Sequence, residues 1–405
     1  MATRWMRLSF VHPPPLPALM DYDVIGEILL RLPPDDPASL VRASLVCRSW
    51  RRFLSDRGFL RRYRAFHRTP PVLGFLHDQS HWGPYLDDQY CGGRRFPRFV
   101  PTTARVPPIL HRPAPVSSHS SHVIDCRHGR VLLRSDFPRS NVSFERSILT
   151  VWDPVTGDQQ RFSSPVDPHH SFNAAVLCAS PGCRHLDCHG GPFLVVTVGV
   201  NYQFRDDDDE DGDGVAWASV YSSETAAWTA SASAAPLDSF IDGTVPSLLA
   251  GDALYFTFGY GEKILRYDLI GGALSVIAGP PLQEPASSSW LLATAEDGDL
   301  EAAAVEGYSL RLWSWRTDPD DGGVGEWVRG RAIELEAMIS ISIGDPSTWL
   351  DVVGFAEGVG SVFISANDVI FTVELKSGHI RKLGKKGDFI GFVFPFMSFY
   401  SLERC

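Results

Sequence analysis

The chain has 405 residues, of which 44% are hydrophobic, so it can form two or three domains with a sizeable core. Its formal net charge of −11 argues against a chain that binds nucleic acid over its whole surface. The seven cysteines are odd in number and scattered, which indicates reduced thiols rather than a disulfide framework. Residues 1–20 lack a continuous apolar core and no run reaches the length of a membrane helix, so we expect a cytoplasmic or nuclear protein.

The first segment with a clear pattern is helical and lies between residues 20 and 66. Ile25, Ile28, Leu29 and Leu32 recur at helical spacing and predict one face of a first helix. The pair Pro33-Pro34 ends that helix, because proline lacks the amide donor and clashes with the preceding turn.

A second helix is predicted after the prolines. Asp36 is a suitable N-cap and Pro37 a suitable first helical residue, and Leu40, Ala43 and Cys47 follow on one face. Two more apolar stripes complete the segment: Val46, Trp50, Phe53 and Leu54, and then Phe59, Leu60, Tyr63 and Phe66. Helices this short do not bury all of these side chains among themselves, which predicts a surface for a partner protein.

The order of residues in this segment resembles an F-box. The resemblance rests on Leu32-Pro33-Pro34, the spaced Leu40, and LVCRSWRRFL at residues 45–54. It implies docking on the Skp adaptor of a cullin-based, SCF-type ubiquitin ligase. The positions that match the motif are expected in or beside the docking surface: Ile28, Leu32, Pro33, Leu40, Val46, Cys47 and Trp50. The family usually opens with Leu-Pro directly before the first helix, whereas Leu16-Pro17 lies farther upstream here.

After residue 71 the chain repeats a β-hairpin pattern. An apolar run ends in an aromatic or acidic residue, a tight turn follows, and a second strand leaves; Ile148–Asp153 is one example. Tyr221, Tyr267 and Trp313 occupy equivalent positions 46 residues apart, a period typical of four-stranded propeller blades. With a degenerate first blade in residues 70–115 the repeats number six, with five or seven as alternatives, and Phe389–Phe396 is expected to close the ring.

This second part resembles, more loosely, the β-propeller-like associated domain of plant F-box proteins. The two resemblances together imply a mainly β chain with a small N-terminal all-α module. The expected order is a proline-rich, loose segment at 1–18, a three-helix F-box domain at 19–68, and a roughly six-bladed β-propeller that binds a target at 70–400.

One cluster of residues has the chemistry of a metal site. Cys178, Cys183, His185, Cys188 and His189 supply zinc-ligand types, but the spacing C-x4-C-x4-C-H differs from paired C-x2-C knuckles. The alternative is an ordered inter-strand loop with reduced cysteines. The pattern favours that alternative, so we assign neither a metal nor a cofactor from the sequence and leave open whether Cys178, Cys183, Cys188 and His189 bind zinc.

Two charged stretches are also open to a functional interpretation. The acidic run at 206–213 has calcium-type ligands but lacks the pattern of a calcium loop, so it favours a solvated loop. Nine arginines occur between residues 42 and 68. They favour a solvated helical face or an acidic protein partner over nucleic acid.

The sequence contains no G-x-S-x-G elbow, H-E-x-x-H or P-loop, which predicts a protein that is not an enzyme. We therefore predict a substrate-recognition adaptor, with the F-box on the Skp adaptor and the propeller on an unknown target protein, and with neither membrane nor nucleic acid as partner. The first alternative is a non-ligase propeller scaffold for protein binding, in which the helices only cap the ring. Two further alternatives are an enzyme with a hydrolase or metal site in the propeller and a nucleic-acid binder.

Overall fold

We describe a computed structural model of the chain. It covers residues 22–81, 94–102, 120–136, 146–165, 172–202, 214–230, 235–237, 241, 243–258, 261–282, 290–317, 325–335, 349–367, 369–383 and 391–400. The predicted loose segment at 1–18, which includes Leu16-Pro17, and the acidic run at 206–213 lie outside these residues. None of the helices in these ranges is both long enough and apolar enough to span a membrane.

The N-terminal part of the chain is helical, as predicted. It contains α1 (Tyr22–Leu30), α2 (Pro37–Val46), α3 (Arg48–Leu54) and α4 (Arg57–His67). α1 ends shortly before Pro33-Pro34, and Pro37 stands at the start of α2, which confirms both expectations.

The prediction that Cys47 continues the buried face of α2 was wrong. α2 ends at Val46, and Cys47 has an extended backbone with φ −161° and ψ 165°. Its Sγ accepts a hydrogen bond from the backbone N–H of Trp50 at 3.5 Å, so Cys47 caps α3 and is exposed. A side chain that caps a helix points along the helix axis and leaves the apolar stripe.

The four helices share one core with the C-terminal end of the chain. The helical block, defined here as α1–α4, buries one set of apolar side chains together: Ile25, Leu29, Leu30, Leu40, Ala43, Leu54, Phe59, Leu60, Tyr63, Phe399 and Tyr400. Phe59, Leu60 and Tyr63 of α4 are buried in this core, whereas Phe66, the fourth residue of the predicted stripe, is 49% exposed. Phe399 and Tyr400 follow the last strand of the propeller, so this core belongs to both parts of the chain.

From Val72 onward the described residues form six antiparallel sheets, which confirms the mainly β, roughly six-bladed propeller. The first sheet has the order β2-β1-β24 and consists of β1 (Val72–His81), β2 (Arg94–Pro101) and β24 (Val393–Met397). The second sheet runs through β3 (Ser120–Arg127), β4 (Arg130–Asp136), β5 (Ile148–Trp152) and β6 (Gln159–Ser163). The third sheet runs through β7 (Phe172–Cys178), β8 (Phe193–Tyr202), β9 (Gly214–Ser222) and β10 (Ala227–Ala230), and β11 (Ala235–Pro236) also pairs with β9.

The other three sheets repeat the four-stranded pattern. The fourth contains β12 (Leu248–Ala250), β13 (Ala253–Phe258), β14 (Lys263–Asp268) and β15 (Leu274–Ala278). The fifth contains β16 (Trp290–Thr294), β17 (Leu300–Glu306), β18 (Ser309–Thr317) and β19 (Gly325–Glu334). The sixth contains β20 (Leu350–Ala356), β21 (Ser361–Ala366), β22 (Val369–Glu374) and β23 (Ile380–Lys382).

The repeated hairpin of the sequence corresponds to the third and fourth strands of the second to sixth sheets. Tyr221, Tyr267 and Trp313 lie on β9, β14 and β18, the third strands of three successive sheets. Their period was readable because the strands and connections between these positions add up to the same total length along the chain. Each of the three side chains is almost fully buried.

The ring closes through its first and last strands. β1 and β24 are antiparallel, with Leu76 opposite Phe394 and Gly74 opposite Phe396. The predicted closure by the last apolar strand is therefore confirmed. The first sheet is completed by residues from both ends of the propeller, which removes an unpaired edge from the ring.

Candidate functional site

The helical block leaves four large aliphatic side chains in solvent. Val24 and Ile28 on α1 are 55% and 59% exposed, and Leu45 and Val46 at the end of α2 are 76% and 64% exposed. Exposed aliphatic groups concentrated in one small module are typical of a surface that binds a partner.

The seven residues predicted for adaptor docking separate into three groups. Ile28, Pro33, Val46 and Cys47 are exposed, Leu32 and Trp50 are half-buried, and Leu40 is 3% exposed within the core. Leu32 and Trp50 pack against the same core as Leu40. Leu40 therefore supports the surface from below, whereas the exposed four are available for direct contact.

Sequence reasoning missed Val24 and Leu45 as members of the exposed aliphatic set. Leu45 precedes Val46 in the run that carries the F-box resemblance, and that adjacency was an available signal. Val24 lies four residues before Ile28 and so faces the same side of α1.

Arginines dominate the polar surface of the block. Arg48, Arg51, Arg52 and Arg61 are exposed along α3 and α4. Glu27 forms ion pairs with Arg31 at 3.2 Å and with Arg62 at 3.0 Å. This excess of exposed arginine is complementary to an acidic protein surface and favours rapid association with one.

The loop between β7 and β8 fastens the helical block to the propeller. Leu186 of this loop packs against the core of the block. The neighbouring Asp187 accepts an ion-paired hydrogen bond from Arg64 of α4. On the other side, Phe399 lies edge-on to Tyr63, with 6.1 Å between the ring centroids, and the Tyr63 hydroxyl donates to the carbonyl of Leu32 at 2.8 Å.

The same loop gathers the cysteines that the sequence singled out. One ligand atom from each of Cys178, Cys183, His185 and Cys188 lies within 4.8 Å of all the others. The sulfur atoms of Cys183 and Cys188 are 3.6 Å apart, and Nδ1 of His185 is 3.6 Å from the Cys188 sulfur. His185, rather than His189, is thus the histidine of the cluster.

His189 takes part in a separate interaction that fixes the loop on the ring. Its Nδ1 donates to the Asp153 carboxylate at 2.8 Å, and its Nε2 is 3.0 Å from the Ser398 hydroxyl. Burial opposes the charge on Asp153, but this hydrogen bond and two backbone amides hold the pKa of Asp153 below its usual value. Gly129 lies under the His189 ring with φ +74°, and a Cβ there would come within 2.9 Å of it.

His128 supports the cluster from the adjacent sheet. Its ring stacks on His185 with 3.8 Å between centroids, and its Nδ1 accepts from the backbone N–H of Cys178 at 3.1 Å. Burial, together with the nearby His185, Arg127 and Arg130, lowers the pKa of His128 to about 3. The ring is therefore neutral, with its Nδ1 as an acceptor.

A buried ionic network joins four of the six sheets beside a central cavity of about 330 Å³. Arg127 donates to both oxygens of Asp125 at 2.7 Å and to Glu357 at 2.9 Å. Asp125 also accepts from the N–H of Val176 at 2.7 Å, and Glu357 accepts from the N–H of Leu249 at 3.0 Å. Because these carboxylates are occupied by Arg127 and by backbone amides, the network serves to hold the sheets in register.

A comparison with protein-family models decides the family. Residues 122–401 match the model described as F-box protein AT5G49610-like, beta-propeller, and residues 18–62 match the F-box domain. The chain belongs to this F-box protein family. The exposed aliphatic side chains of α1 and α2 therefore lie on an F-box, and the F-box and propeller together form the architecture of an F-box substrate receptor.

The solved structures that match this F-box protein share little sequence with it and have low TM-scores. A GH93 alpha-L-arabinofuranosidase of Fusarium graminearum is 8% identical, with a TM-score of 0.36 over 67% of this chain and 82% of that chain. A nidogen/laminin complex chain is 10% identical, with a TM-score of 0.37 over 82% and 100%. The Cps50 (Swd1) propeller domain of Myceliophteria thermophila is 12% identical, with a TM-score of 0.30 over 67% and 84%. No curated protein matches the chain.

Proposed function

We propose that this protein is the substrate-recognition adaptor of an SCF-type ubiquitin ligase, a plant-type F-box protein acting in the cytoplasm or nucleus. Its F-box docks on the Skp adaptor and its propeller holds a target protein. The observation that carries the proposal is the set of exposed aliphatic side chains, Val24, Ile28, Leu45 and Val46, on a module that matches the F-box.

The attachment of the F-box to the propeller supports this role. Ubiquitin transfer by proximity requires that the two binding surfaces stay at a defined separation, which raises the effective concentration of the target near the ligase. Arg64–Asp187, Leu186 and the Tyr63–Phe399 contact fix one part on the other at several points. The proposal assigns no chemical step to the chain itself, because the ligase partners supply it.

Adaptor binding tests the proposal with a matched pair of variants. Ile28→Asp combined with Val46→Asp places charges on the exposed F-box surface and should weaken binding to purified Skp adaptor by more than about tenfold. Ile270→Asp makes the same kind of change at an 82% exposed position on the propeller and should bind like the wild type. Equal binding by all three proteins, measured by calorimetry, contradicts the proposal.

A Leu32→Ala, Trp50→Ala double variant is a less selective test. Both side chains are half-buried against the core of the helical block, so their truncation loosens the block as well as its surface. The variant is informative only beside a measurement that the block remains folded.

The alternative is a protein-binding scaffold in which the helical block caps the propeller. The absence of Leu-Pro directly before α1 favours this possibility, and the contacts of Leu186, Phe399 and Tyr400 with the block fit a cap as well as an adaptor. It predicts a folded protein that fails to bind the Skp adaptor even as the wild type. The same calorimetric experiment therefore separates the two functions.

A further inference from the structure

We propose that Cys178, Cys183, His185 and Cys188 form a structural zinc site that braces the F-box against the propeller. The site is independent of the ligase role, because its geometry and position are the same for an adaptor and for a scaffold.

Two separations within the cluster agree with tetrahedral zinc coordination. With a zinc–sulfur bond of about 2.3 Å, two sulfur ligands of a tetrahedron lie about 3.8 Å apart, and a sulfur and a nitrogen ligand about 3.5 Å apart. The Cys183–Cys188 and Cys188–His185 separations are both 3.6 Å, and all four ligand atoms lie within 4.8 Å of one another. A disulfide has sulfur atoms about 2.05 Å apart, so the cluster has the spacing of ligands rather than of a cross-link.

The surrounding backbone supports a formed site. The loop turns through Ser180 and Gly182, where the N–H of Cys183 donates to the Ser180 carbonyl at 3.2 Å and Gly182 has φ +64°. A second turn brings the N–H of Gly191 to the Cys188 carbonyl at 3.3 Å. His128 stacks on His185 at 3.8 Å and thereby fixes the orientation of the imidazole.

The position of the ligands in the loop gives the site its function. His185 and Cys188 lie on either side of Leu186 and Asp187, the two residues that contact the helical block. A metal bound by His185 and Cys188 holds this pair in one conformation. His189 fixes the end of the loop on the ring, and the metal adds a second fixed point between Cys178 and Cys188.

Metal content tests the site directly on the full chain purified under reducing conditions. Each chain should contain about one zinc ion, because three cysteines and one histidine complete a structural site. Binding converts three thiols to thiolates and releases their protons. Replacement by Co²⁺ should therefore give the visible absorption of a tetrahedral site together with a thiolate-to-metal charge-transfer band.

Matched variants test which residues are ligands. Cys183→Ser and His185→Asn should lose zinc to a chelator at least about tenfold more readily than the wild type, since even a partner of a ligand costs about 10–100-fold in affinity. Asn tolerates the φ of +57° at His185, so that variant keeps the backbone. Cys47→Ser, at an exposed cysteine of the F-box, and His189→Asn should keep the zinc.

Proteolysis reports on the loop without relying on metal content. Arg184 is exposed between two of the ligands, so trypsin should cleave there faster in wild-type protein after zinc is chelated. Zinc-free wild-type protein without a cobalt spectrum would overturn the proposal, as would a Cys183–Cys188 disulfide in thiol counting. Loss of zinc from His189→Asn with retention by His185→Asn would also overturn it.

Discussion

Asp187 of the propeller forms an ion pair with Arg64 of the F-box helix α4, although the two residues are 123 positions apart in the sequence. The Arg64 side chain is only 16% exposed, whereas that of Asp187 is 41% exposed. The pair therefore lies at the edge of the contact, where water reaches the carboxylate but the guanidinium is largely shielded.

We expect this pair to make a small but measurable contribution to the attachment. Arg64→Ala and Asp187→Ala should show a coupling free energy of about 0.5–1 kcal/mol in a double-mutant cycle, the upper end for a partly exposed pair. The measurement is urea unfolding of the wild type, both single variants and the double variant. Strict additivity would show that the ion pair contributes nothing to the fold.

Phe399 should contribute more than the ion pair. Its side chain is 3% exposed and contacts Tyr63 within the core of the helical block. Phe399→Ala removes a buried aromatic ring and should destabilise this region by about 3–5 kcal/mol. Hydrogen exchange of the α4 amides should accelerate accordingly, while β8 and β9 stay protected. Unchanged exchange in α4 would mean that the helices hold their core without the C-terminal residues.

Leu40 and Leu45 should respond differently to the same substitution. Leu40→Ala should lower the stability of the helical block by about 2–5 kcal/mol, because Leu40 is buried. Leu45→Ala should change stability by less than about 0.5 kcal/mol, because Leu45 is 76% exposed. Thermal unfolding checks both values, and Skp adaptor binding should fall for Leu45→Ala despite its normal stability.

The ionic network predicts a pH dependence with a definite sign. Burial raises the pKa of Asp125 to about 6, against the opposing effects of Arg127 and the Val176 amide. Arg127 neutralises one of the two carboxylates that share it, and Asp125 is the more buried of these. Between about pH 4 and 6 the folded protein therefore binds a proton that the unfolded chain, with an aspartate pKa of about 3.9, does not.

The stability contributed by this proton is complete below about pH 4 and is lost as the pH rises through 6. Between pH 4 and 6, titration of Asp125 lowers the free energy of unfolding by at most about 1.4 kcal/mol for each unit rise in pH. Asp125→Asn should lack this component, although it is less stable overall. Denaturant unfolding of both proteins from pH 4 to 7 measures the difference, and parallel curves would contradict the raised pKa.

The regular parts of the fold were predictable because they depend on local signals. The 46-residue spacing of Tyr221, Tyr267 and Trp313 arises because the strands and connections between them add up to the same total length. Pro33-Pro34 ends α1 wherever the chain goes next. The assignment of Cys47 to α2 failed for a local reason as well. A thiol that caps α3 competes with continuation of the preceding helix, and apolar periodicity does not register that competition.

The contacts between distant segments were not predictable in the same way. Phe399 reaches Tyr63 only because β24 pairs with β1 and brings the C-terminal residues beside α4. The choice of His185 over His189 in the cysteine cluster depends on Asp153 and Ser398, which hold the His189 ring elsewhere. The spacing C-x4-C-x4-C-H indicated His189, because it directly follows Cys188 in the sequence.

The pairing of β1 with β24 has a consequence for synthesis on the ribosome. β1, the first propeller strand to be synthesised, cannot pair with β24 until β24 has been made. The core of the F-box is likewise incomplete until Phe399 and Tyr400 have been made. A nascent chain that stops early therefore exposes both an open sheet edge and an incomplete helical core. Synthesis through Tyr400, rather than emergence of the N-terminal helices, is the event that completes the helical core and the first sheet.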